Sequence, residues 1–176
     1  MTNRSKFDGA NIPAIEKRIE DGIVFEASSK ISVANAGGIG EWLVRTGSKR
    51  VVIDARQITT NGNELDYQVF SGVTVSSVGT PVAVNSRNSK DSQKTTVKVF
   101  HTPEVSGGTG VAPVYLPGST ASGQNTVGQF NQDGFVRVLD ANTDYIARVI
   151  NNGEVTPANV ELYLLFSEVT EPYPKS

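Results

Sequence analysis

The spacing of apolar residues along this chain changes once, near residue 22. Before that point Ile12, Ile15 and Ile19 recur at helical spacing, Pro13 suits a first helical position, and Gly22 follows the last turn. This predicts a helix of about ten residues. Its single apolar stripe must rest on its own domain or on a neighbouring subunit. From residue 23 onward the period is two. In VVIDARQI (51–58), Val51, Ile53 and Ala55 share one face, and Val52, Asp54 and Arg56 share the other. LDYQVF (65–70), VTVSSV (73–78) and TTVKVF (95–100) repeat the alternation. GIVFEASS, EWLVRT, FVRVLD, DYIARVI and NVELYLLFSEV complete a run of roughly nine or ten strands separated by turn residues.

Short strands with regular punctuation indicate an all-β fold, a single β-sandwich, rather than alternating α/β units. Whether the strands follow a jelly-roll order depends on pairings that alternation does not reveal. Asn61-Gly62, between VVIDARQI and LDYQVF, is a strong hairpin signal. In the last strand Val160, Leu162, Leu164 and Phe166 are apolar on one face, with Tyr163 and Leu165 on the other. A strand apolar on both faces is expected at the centre of a sheet or under a neighbour. Residues 102–134 are rich in Gly, Ser, Thr and Pro. So long a segment is either an extended functional arm or a loop that hides short strands around VAPVYLP. The expected organisation is an N-terminal arm and helix (1–22), a sandwich (23–170) carrying the long loop (102–134), and a C-terminal tail (171–176).

Composition narrows the chemistry. A chain of 176 residues suits one domain with a real core. With no cysteine there is no disulfide framework, thiolate zinc site or cysteine nucleophile. A net charge of −2 argues against a nucleic-acid partner. Arg45, Lys49, Arg50 and Arg56 lie close in sequence but read as a solvated sheet face. The N-terminus MTNRSKFDG lacks the apolar core of a secretory signal, and no stretch approaches the ~18 apolar residues of a membrane span. Folding in a cytoplasm, with no membrane partner, is the expectation.

In LDANTDYIARVINNG, Asp140, Asn142 and Asp144 stand two apart, like the first ligands of a calcium loop. Such a loop needs glycine at position six and glutamate at position twelve, where this chain has Tyr145 and Asn151. DANTD reads as a turn, because Asp and Asn side chains bond nearby amides. The one histidine, His101, has no nucleophile elbow to accompany it. Glu16 with Glu20, Glu64 with Asp66, and Glu168 with Glu171 are carboxylate pairs whose geometry sequence does not define. The glycines of ANAGGIGEW lack the setting of a dinucleotide fingerprint. Tyr67, Tyr115 and Trp42 could stack on a sugar, or could pack in a core. No catalytic residue, metal or cofactor is assigned.

The motifs run EWLVRTGSKRVVIDARQIT, then YQVFSGVTVSSVGTPVAVNSRNSK, then LDANTDYIARVINNG, then VELYLLFSEV. This order is similar to that of a group of small tailed-bacteriophage virion proteins. Gly79-Thr80 leads to Asn85, Arg87 and Asn88; Leu139 leads to Tyr145, Arg148 and Asn151; Glu168 ends the last strand. The resemblance spans roughly residues 41–169 and contains no catalytic motif. It implies a virion structural protein of the head decoration or auxiliary capsid type. Such a protein binds the assembled shell and stabilises it, with the major capsid protein or other virion subunits as partners. A homo-oligomer, a trimer among the options, is the expected state. The contacts are expected from Ile12, Ile15 and Ile19 and from Val114, Tyr115 and Leu116 in the long loop. The alternatives are a neck, tail or fibre-base subunit and a carbohydrate- or receptor-binding module.

Overall fold

A computed structural model describes residues 14–34, 36–60, 63–88, 94–111, 113–117, 128–131, 137–153 and 157–170. The helix α1 is described over Ala14–Glu20, and Ile12 and Pro13 lie outside the described residues. Gly22 adopts φ +72 and closes it: the Gly22 amide donates to Ile19 O at 3.0 Å and the Ile23 amide to Arg18 O at 3.2 Å. These are the two bonds of a Schellman cap, which needs a left-handed residue at this position.

The strands are β1 (Val24–Val33), β2 (Gly38–Arg45), β3 (Arg50–Thr60), β4 (Leu65–Ser77), β5 (Thr80–Val82), β6 (Val84–Ser86), β7 (Lys98–His101), β8 (Glu104–Gly110), β9 (Val114–Leu116), β10 (Gly128–Asn131), β11 (Arg137–Leu139), β12 (Asp144–Asn151) and β13 (Ala158–Val169). All the pairings are antiparallel, in two sheets. The first sheet has the order β10-β3-β13-β1-β6, with β11 also on β3; the second has β5-β7-β2-β12-β4-β8, with β9 also on β4. Strand β13 is central, between β3 and β1, as its two apolar faces require. The chain alternates between the sheets at β1/β2, β2/β3, β3/β4, β11/β12 and β12/β13. A jelly roll is wound in this way, with β1-β13-β3-β10/β11 facing β2-β12-β4-β8/β9.

That winding corrects the hairpin reading of Asn61-Gly62. Strands β3 and β4 belong to different sheets, so they do not pair as a hairpin. Residues 61 and 62 themselves lie outside the described residues. The segments LDYQVF and VTVSSV are one strand, β4. In 102–134, read as an extended arm or as a loop hiding short strands around VAPVYLP, strands β8, β9 and β10 form, β9 within VAPVYLP.

Between the sheets lies the core, built from Phe25, Trp42, Val51, Ile58, Leu65, Tyr67, Val149, Val160, Leu162, Leu164 and Phe166 among others. In β3 the register shifts between Ile53 and Ala55 opposite Leu165/Phe166. This bulge inverts the alternation. Arg56 therefore lines the interior beside Leu164 instead of sharing a face with Asp54. Its guanidinium lies 4.7 Å from the Tyr67 ring centroid and Nη1 donates to Tyr67 Oη at 3.0 Å, beside a cavity of about 30 Å³.

Between β4 and β7 the chain builds a long two-stranded ribbon. Phe70↔Gly110 through Ser77↔Glu104 runs on into Thr80↔His101 through Val82↔Val99. One end adjoins β12 through β4, the other adjoins β2 through β7. Gly72, Gly79, Gly107 and Gly108 all have positive φ along it. At Gly79 a β-carbon would also stand 2.3 Å from His101 O, so the ribbon's bend requires glycine.

Candidate functional site

The two ends of the sandwich are pinned by side chains that the motif order singled out. At one end Asn151 is fully buried; its Nδ2 donates to Ala34 O at 3.0 Å, and its Oδ1 accepts from Gly153 N at 3.0 Å and Asn63 Nδ2 at 3.3 Å. Three inter-sheet connections are joined there. At the other end, DANTD is the corner between β11 and β12. Asn142 is left-handed at φ +52 and its amide donates to Gly47 O at 2.7 Å. Thr46 Oγ1 accepts the Thr143 amide at 2.8 Å and lies 2.7 Å from Asp140 O.

The acidic groups of this corner diverge. Asp144 binds Arg45 through both oxygens, at 2.7 and 2.8 Å, and this bond raises the Arg45 pKa. Asp140 pairs with Arg50 at 3.3 Å in solvent. Among the described residues no group of three His, Cys, Asp or Glu side chains converges as a metal site would require. An open groove of about 450 Å³ runs between this corner and the start of the ribbon at Gly72 and Val73.

The remaining motif residues also serve as framework. Glu168 is buried and accepts from Thr96 N at 2.8 Å, Thr96 Oγ1 at 2.6 Å and Thr95 Oγ1 at 3.0 Å. Arg87 pairs with Glu26 at 2.9 Å, and Asn88 Nδ2 donates to Glu20 O at 3.1 Å. Tyr145 Oη accepts the Asp140 amide at 3.0 Å. Glu26 also accepts the Tyr163 hydroxyl at 3.1 Å, and burial followed by that bond raises the Tyr163 phenol. His101 is half-buried, with Nδ1 3.0 Å from Thr102 Oγ1. Glu16 and Glu20 are exposed on α1, and Glu171 lies outside the described residues. The four basic residues do not form a patch: Arg45 and Arg50 are paired and Arg56 points inward.

The expected contact residues fall in different environments. Ile15 and Ile19 are half-buried on α1. The helix lies on the outer face of the first sheet, where Arg18 Nη2 meets Asp54 at 2.6 Å and Nη1 donates to Ser167 Oγ at 3.1 Å. The Ser167 hydroxyl in turn donates to Asp54. In β9, Leu116 belongs to the core, Val114 is half-buried and Tyr115 is 56% exposed. Of the three aromatic candidates, Trp42 and Tyr67 are core residues and Tyr115 alone is exposed.

The register gathers further residues around Tyr115. Ile39↔Ile150, Ile150↔Asp66 and Asp66↔Tyr115 form one row across four strands on the outer face of the second sheet. Ile39 is 58% exposed. Glu64 stands two residues before Asp66 on the same face and is exposed. Desolvation, then the Glu64 carboxylate, then Asp66 raise the Tyr115 phenol. In the next row Arg148 Nε meets Glu41 Oε1 at 2.6 Å and its guanidinium lies 4.4 Å from the Phe70 centroid. Alternation alone places Ile39 and Asp66 opposite the core; the orientation of Tyr115 and the alignment of the three in one row depend on pairings the sequence does not display.

No protein-family model, no curated protein and no solved structure matches this chain.

Proposed function

We propose that this chain is a virion structural protein, a decoration or cement subunit that binds an assembled bacteriophage head and stabilises it. The observation that carries the reading is the jelly-roll winding, a fold that recurs in viral capsid domains. The motif residues add to it by their roles. Asn151, Thr46, Arg148, Glu168 and Gly79 hold connections and the ribbon in place. A ligand that binds only the assembled shell stabilises that shell by mass action.

Quantitative mass spectrometry of purified particles tests the assignment. Hundreds of copies per particle are expected for a repeating shell component. A few or a dozen copies would move the chain to the neck, tail or fibre base, and absence from particles would remove the virion reading. An arm deletion tests the contact. It should remove residues 1–13 only, because Arg18 of α1 closes the chain's own sheet. Loss of head binding by this variant, with folding intact, is the expected result.

A further inference from the structure

We infer that the outer-face row Ile39, Ile150, Asp66 and Tyr115, with Glu64 beside it, is a docking surface for a protein segment that carries an arginine or lysine a few residues from an aliphatic side chain.

The surface has two halves. Ile39 and Ile150 make an aliphatic shelf, with Ile39 58% exposed. At the other end the exposed ring of Tyr115 stands beside the carboxylates of Asp66 and Glu64. Among the described residues no ion pair reaches either carboxylate. Glu64 accepts from the Tyr115 hydroxyl and Asp66 from a neutral amide, Asn152 Nδ2 at 2.8 Å, so both partners among the described residues are uncharged. A ring flanked by carboxylates attracts a cation through its π face and through charge.

The same sheet already shows what such a pair holds. One row away, Arg148 is clasped between Glu41 at 2.6 Å and the Phe70 ring at 4.4 Å. Tyr115, Asp66 and Glu64 repeat the arrangement of ring and carboxylate with the cation left for a partner to supply. Charge complementarity therefore selects a basic segment over an acidic one. The spacing selects its length. Three inter-strand gaps separate Ile39 from Tyr115, about 14 Å, which an extended chain covers in about four residues.

The inference does not depend on the virion assignment: copy number in particles tests that, and peptide binding tests this. The probe is the peptide acetyl-Leu-Gly-Ser-Gly-Arg-amide, compared with its citrulline analogue, which keeps the shape and removes the charge. Both are titrated into the full-length protein at low salt and followed by backbone amide NMR. The expected result is chemical-shift change at the amides of Ile39, Ile150, Asp66 and Tyr115, with the citrulline peptide at least tenfold weaker. Asp66→Asn combined with Glu64→Gln should abolish the shifts. Tyr115→Phe should keep them and Tyr115→Ala should weaken them. The spectrum away from the row reports that each variant is folded. Equal binding of the two peptides, shifts confined to other surfaces, or no shift at peptide concentrations of about 10 mM, beyond the weak end of specific affinity, would overturn the inference. Shifts of the same amides by methyl glucoside but not by the arginine peptide would replace it with a glycan site.

Discussion

The two faces turned away from the core are finished in different ways. On the first sheet, Val24, Ser167 and Val52 share a row and are fully buried, because α1 lies over them and Arg18 reaches Ser167 and Asp54. On the second sheet the register also turns Leu43 and Ile146 outward, and both are 0% exposed. The ribbon adjoins β12 through β4 and β2 through β7, and Phe70 and Phe100 flank Leu43 and Ile146 in the same row. Two rows further along, the same face leaves Ile39 and Tyr115 in solvent. One face is closed by the chain's own helix. The other is closed at one end and open at the other. An outer sheet face therefore cannot be read as solvent or as interface from its alternation alone; what lies above each row decides.

The largest effect should come from opening the closed face. The Asp54 side chain is 3% exposed and Arg18 is its cation. Arg18→Ala would leave that carboxylate with the Ser167 hydroxyl as its remaining polar contact among those described here. Removing one partner of a buried pair costs about 3–5 kcal/mol. Urea denaturation should show that loss, and a loss below about 1 kcal/mol, typical of an exposed pair, would mean that the helix does not seal the sheet.

Next is Leu43→Ala on the second sheet. A fully buried leucine truncated to alanine costs about 2–5 kcal/mol when its surroundings cannot collapse. The same denaturation measurement would show it. A neutral Leu43→Ala would mean that this row is not closed.

How much of this contrast was legible in the sequence depends on the range of the interaction. The helix and its Gly22 stop are local, and the pattern contained them, as did the central place of β13 with its two apolar faces. Asn61-Gly62 misled because turn chemistry specifies a reversal and not the sheet that receives the next strand. The parity of β3 was lost at Asp54, where one bulged residue turned Arg56 inward. In β9 the alternation in Val114, Tyr115 and Leu116 separates a core leucine from an exposed tyrosine, but three residues are too short a run to orient without a partner strand. The row that joins Ile39 to Tyr115 draws on three strands between residues 38 and 116 and on β12, so it exists only in the folded sheet.

A smaller effect separates the charge network on the first sheet from its sealed row. Tyr163→Phe removes one hydrogen bond to Glu26, which keeps Arg87, and should cost about 0.5–1.5 kcal/mol at neutral pH. Its clearer signature is alkaline. Because the folded protein raises the Tyr163 pKa above 10.0, the native state holds this proton more tightly than the unfolded chain. That contribution is complete below the unfolded pKa and is lost as pH rises through the folded value. Stability above pH 10 should therefore fall with a steeper slope in the parent than in Tyr163→Phe, measured by denaturation across that range. Parallel slopes would mean that neither burial nor the bond to Glu26 raises the phenol.

The smallest effect is the most discriminating. Ile39→Ala removes an aliphatic side chain from the same face that carries Leu43, four positions away on the same strand. Nothing covers it in the isolated chain to more than half its surface, so its loss should change stability by no more than about 0.5 kcal/mol. If the row is a docking surface, the same substitution should still weaken the leucine–arginine peptide by removing the shelf under its aliphatic end. Leu43→Ala should show the opposite pattern, with a large cost in folding and no direct effect on the peptide. A cost in folding for Ile39→Ala comparable with that for Leu43→Ala would mean that both residues belong to one continuous buried layer, and the contrast between closed and open ends of this face would disappear.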